Sequence, residues 1–88
     1  MKFFEELYIG KSITDIEEDI SLLKRGESRF GLMCVCKNEN RKFLYEILSS
    51  RELQKERNAD KYTVYGLAIG KREAFELLRY ILEDRNEY

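Results

Sequence analysis

Phe30-Gly31-Leu32-Met33-Cys34-Val35-Cys36, then the turn-like Lys37-Asn38-Glu39-Asn40-Arg41, then Lys42-Phe43-Leu44-Tyr45-Glu46-Ile47-Leu48 is the stretch whose structure decides the fold. The first run is apolar without alternation, the pattern of a strand covered on both faces. The last run is ambiguous. Phe43, Leu44, Ile47 and Leu48 share one helical face, whereas Phe43, Tyr45 and Ile47 share one side of a strand. Two local features favour the strand. Residues 37–41 supply a turn between the two apolar runs, and Ser49 with Glu52 makes a capping box, so a helix starts after Ser49 rather than passing through it. Residues 42–48 are therefore expected to pair with 31–37 as a hairpin.

Outward from the hairpin, residues 3–9 are rich in strand formers and end at Gly10. Ile13, Ile16, Ile20 and Leu23 then recur at helical steps, with Thr14 and Glu17 as a capping box, acidic residues in the first half and Gly26 after Lys24-Arg25. After the hairpin, residues 51–61 hold few apolar positions and can form only a short helix and a loop. Tyr62 to Ile69 is again apolar on both sides, and Ala74, Leu77, Leu78, Ile81 and Leu82 form the stripe of a last helix. The order β-α-β-β-α-β-α describes one α+β domain over residues 1–88, with a small sheet of about four strands and helices packed mainly on one face. Up to residue 69 this is the ferredoxin-like order of elements. One feature pulls against that topology: its central strands are the first and third, whereas here the second and fourth are the most continuously apolar.

Composition narrows the function classes. Sixteen basic and seventeen acidic residues leave a net charge of −1, so no bulk attraction draws the chain to nucleic acid or to anionic lipid. No apolar run approaches the ~20 residues of a membrane span, and Glu5-Glu6 interrupts any signal-like start, which gives a cytoplasmic expectation. The two cysteines, Cys34 and Cys36, lie two apart on one strand and are expected as free, buried thiols. A zinc site needs about four ligands, and the chain has no histidine, so no metal or other cofactor is implied. The missing histidines also exclude Ser-His-Asp and Cys-His catalysis. Tyr62 and Tyr65 fall on opposite strand faces and form no base-stacking platform, so no nucleic-acid partner is expected.

Two strand-to-helix turns hold the candidate site residues. Gly10-Lys11-Ser12 has the end of a phosphate-binding loop, but that motif needs a glycine where this chain has Glu5. Gly70-Lys71-Arg72 repeats the Gly-Lys pair at the start of the last helix, where free N–H groups and cations can hold an anion. Lys71 and Arg72 sit at the positive end of the helix dipole, at a cost of ~0.3–1 kcal/mol each, which Glu73, an anion or solvent offsets.

Tyr8-Ile-Gly-Lys-Ser12 and Val64-Tyr-Gly-Leu-Ala-Ile-Gly-Lys-Arg-Glu-Ala-Phe-Glu-Leu77 resemble the Y-[VI]-G-x-S and V-x-G-[IL]-A-x-G-x-x-E-A-x-E-L blocks of a group of small bacterial hypothetical proteins. That group has no assigned activity, so the resemblance implies a small stand-alone bacterial protein and transfers no site residue. The residues themselves point to a non-enzymatic interaction or regulatory protein. Two strands apolar on both sides, with helices on one, leave a face for a second copy, so homodimerisation or a protein partner is expected. The competing expectation is a sensor of an anionic metabolite held at the two Gly-Lys turns.

Overall fold

Two strands that are apolar on both sides demand two covering layers. A computed structural model, which describes residues 1–87, supplies both from the chain itself. The elements run β1 (Lys2–Ile9), α1 (Ile16–Lys24), β2 (Leu32–Asn38), β3 (Tyr45–Ser49), α2 (Ser50–Lys55), a 3-10 turn (Ala59–Lys61), β4 (Tyr62–Ile69) and α3 (Gly70–Asp84). The α+β class and the element order are those expected from the sequence. The hairpin forms too, but its second strand is shorter than expected: β3 begins only at Tyr45, so residues 42–44 stay in the loop with Phe43 exposed, and β2 pairs antiparallel with β3, Cys36 opposite Glu46 and Met33 opposite Ser49.

The sheet order is β1-β4-β2-β3, with β1 parallel to β4 and β4 antiparallel to β2. The ferredoxin-like strand order is thus not adopted. The central strands are β2 and β4, the two whose apolar runs argued against it, while β1, with Glu5 and Glu6 exposed, takes an edge. Pairing is interrupted on β4, where Val35 faces Gly66 and Cys36 faces Val64, leaving Tyr65 as the extra residue of a bulge. Tyr65 and Gly66 consequently both turn toward the same side, and Gly66 has no room for more: a Cβ there would lie 2.8 Å from a Leu77 methyl.

The helices divide between the faces instead of gathering on one. Leu32, Cys34, Cys36, Val64 and Leu67 point to the side covered by Leu23 of α1 and Leu53 of α2. Met33, Val35 and Ala68 point to the other, covered by Ala74 and Ile81 of α3. The open apolar sheet face expected to seat a second copy is therefore filled by α3. The 15 residues of α3 suffice for this because the apolar stripe at 74, 77, 78 and 81 lies along β2 and β4.

Local chemistry sets the helix ends. Ser49 and Glu52 form the reciprocal capping box at α2. At α1 the cap is Asp15, whose carboxylate accepts the Glu18 N–H at 3.1 Å, one residue later than the expected Thr14–Glu17 pair. Asp caps as well as Thr, and the helix itself begins only at Ile16, although Ile13 before it already packs on the core.

Candidate interaction surface

The two Gly-Lys turns meet on one side chain. Glu73, in the first turn of α3, accepts the Ile69 N–H on Oε2 at 2.8 Å and the Ser12 N–H on Oε1 at 3.1 Å. A Cβ on Gly10 would run into that same carboxylate, which is why this position is glycine. Burial opposes the charge of Glu73, but the hydrogen bonds from Ser12 and Ile69, with Lys11 nearby, hold its pKa below the usual carboxylate value. The protein's own carboxylate thus takes backbone donors that an anion at Gly10, Lys11 and Ser12 would use. On the other side of the helix start, Arg72 lies 3.8 Å from Glu76, and Lys71 makes no ion pair among the described residues. Gly70 adopts φ +79° and spends its N–H on the Gly31 carbonyl at 2.7 Å.

The two cysteines and two of the tyrosines are held within the fold. Cys34 and Cys36 are buried and unbridged; burial raises the Cys34 thiol to about 12 and raises Cys36 as well. At the far end of α3, Tyr8 donates to Asp84 at 2.5 Å, which with slight burial raises its pKa to about 12. Tyr45, raised chiefly by burial, donates to Glu87 at 2.7 Å. The Arg85 guanidinium lies 4.6 Å from the Phe4 ring centre and 4.9 Å from that of Tyr65. These contacts lock the end of α3 onto the sheet.

The feature that sequence reasoning missed is Phe30. Instead of opening β2 it sits just before it, in the loop between α1 and β2, with its side chain wholly exposed at 103% of its reference area. Gly31, at φ +86°, bends the chain between Phe30 and the strand, a conformation that only glycine adopts without strain. An exposed ring on a loose loop would mean little, yet this loop is fastened on both sides of Phe30. The Arg29 N–H donates to Ser50 Oγ at 3.1 Å, and the Ser50 hydroxyl donates back to the Arg29 carbonyl at 3.0 Å. The Arg29 guanidinium donates to the buried Asp19 carboxylate from Nη2 at 2.7 Å and from Nε at 3.2 Å. Asp19 Oδ2 is buried without a partner among the described residues, so the burial of this charge depends on Arg29. Gln54 Nε2 donates to the Leu23 and Glu27 carbonyls, and Gly31 is held by Gly70. The signal in the sequence was Gly31 itself, a turn residue set one position inside an apolar run.

Beneath Phe30 lies a groove of about 510 Å³ at the end of the sheet where β3 and β4 finish and β2 begins. Its floor is Gly31, Met33 and Gly70, and its rim carries Arg29, Arg51 and Lys71 with no carboxylate. Among the described residues no helix is long and apolar enough to cross a membrane, and no three potential metal ligands gather. No protein-family model, curated protein or solved structure matches the chain.

Proposed function

We propose that this chain is a non-enzymatic interaction or regulatory protein whose contact surface is the Phe30 loop and the groove beneath it. The observation that carries this is a fully exposed phenylalanine on a loop pinned by Ser50, Asp19, Gln54 and Gly70. Displaying an aromatic ring to water has a solvation cost, and holding its backbone fixed removes the ordering entropy that binding would otherwise incur. A few anchor side chains, aromatic ones prominent among them, carry most of the energy of protein interfaces. The titratable groups support the non-enzymatic half. The shifted carboxylates of Glu52, Glu73 and Glu87 move down, and the shifted tyrosines and thiols move up, all away from the neutral range where acid-base catalysts are poised.

Phe43 provides an internal control, because it is equally exposed, at 97%, on a loop held near it by local turn bonds. A photo-crosslinking phenylalanine analogue placed at position 30 in growing cells is expected to give a discrete protein adduct that position 43 does not. The same adducts from both positions, or none from position 30, would contradict this function.

A further inference from the structure

We infer that the occupant of the groove is an acidic segment of a partner protein, anchored by one apolar side chain against Phe30 and Met33. The inference rests on the contact surface proposed above and adds the chemistry of what it binds. The chain as a whole carries −1, yet the groove rim holds Arg29, Arg51 and Lys71 and no acid. Arg29 is neutralised by Asp19, whereas Arg51 and Lys71 pair with no carboxylate among the described residues. Glu52 is near enough for Lys71 to lower its pKa, so it offsets part of that charge from a distance while its carboxylate is held by the Ser49 N–H at 2.8 Å in the cap of α2 and forms no ion pair with Lys71. Lys71 also stands in the first turn of α3, whose dipole adds to the positive field there. An incoming carboxylate relieves that repulsion.

The same charges argue against a second copy. A two-fold contact through this patch would set Arg51 and Lys71 against their own images over the apolar floor, and like charges across an interface disfavour the match. The floor selects the anchor. Gly31 and Gly70 present no side chain, so Met33 and the ring of Phe30 are the apolar side chains that line it.

The test is selection of a random peptide library displayed on phage against the intact protein, with a parallel selection on Phe30→Ser. Phe30 buries nothing, so that variant keeps the fold. Peptides that need Phe30 and combine an apolar residue with flanking Asp or Glu are the expected result. Their affinity should fall about tenfold in Arg51→Glu/Lys71→Glu and should weaken as salt is raised. Phe30-dependent peptides that are neutral or basic would overturn the acidic partner and leave the contact surface standing. Absence of any Phe30-dependent peptide would overturn both. A dimeric mass by light scattering that becomes monomeric in Phe30→Ser would also overturn it, since the occupant would then be a second copy.

Discussion

Replacing Ser50 by alanine removes one oxygen atom and should loosen the loop that presents Phe30. Ser50 is fully buried, and its hydroxyl both accepts the Arg29 N–H and donates to the Arg29 carbonyl. The carbonyl keeps a second partner, the Leu32 N–H at 3.1 Å, so the main loss is the hydrogen bond to the Arg29 N–H. Two net hydrogen bonds at ~0.5–1.5 kcal/mol each, one of them leaving a donor short of its partner, give a loss of ~2 kcal/mol. In a domain of this size ~2 kcal/mol corresponds to a fall in Tm of ~8–16 °C. Urea unfolding should show the loss as a lower midpoint with an unchanged slope. Phe30→Ser, which touches nothing buried, should stay within ~0.5 kcal/mol of the parent. A Ser50→Ala protein as stable as the parent, or a Phe30→Ser protein that loses more than ~1 kcal/mol, would refute the picture of a pinned loop with a free ring.

Three further outcomes test the rest of the fold. Ile81→Ala, at the contact of α3 with Met33, Val35 and Ala68, should cost ~2–5 kcal/mol in urea unfolding; a loss under ~1 kcal/mol would mean that α3 does not close that face. Glu73→Gln should destabilise at neutral pH, because a carboxamide offers one acceptor oxygen to the two N–H donors of Ile69 and Ser12. The pKa of Glu73 is depressed in the folded chain, so its contribution is whole above the unfolded-state value of about 4.3 and is lost as pH falls below it. A thermal melt series should thus show the parent losing stability toward low pH more steeply than Glu73→Gln, and parallel curves would contradict the role given to Glu73. Cys34 and Cys36, protonated by burial, should resist iodoacetamide at about pH 8 until the chain is unfolded by denaturant, and rapid alkylation of the native protein would show them accessible.

Patterns of sequence carried the architecture as far as local chemistry reaches. The hairpin was legible because the Ser49–Glu52 box excluded a helix through residues 42–48, and the box is present. The apolar runs at residues 30–36 and 62–69 correctly marked the two central strands, although the first was begun two residues early, and the second covering layer was assigned to another molecule. Nothing in a single stripe says which face of a sheet its helix will cross to, and α3 crosses to the one left open by α1 and α2. Glu73 was visible as a compensating charge beside Lys71. Its bond to Ser12 was not, because that contact joins segments 61 residues apart. Phe30 was misplaced for a backbone reason: counted with its apolar neighbours it belongs to the strand, but the left-handed turn at Gly31 detaches it from the register and exposes it.

The most direct test is the backbone motion of the loop itself. Nitrogen-15 relaxation of the Phe30 and Gly31 amides should give order parameters near about 0.85, equal to those of β2 and β4, because the fastenings by Ser50, Asp19, Gln54 and Gly70 lie on both sides of the exposed ring. Values below about 0.6 would show a ring on a mobile loop and contradict a pre-organised contact surface.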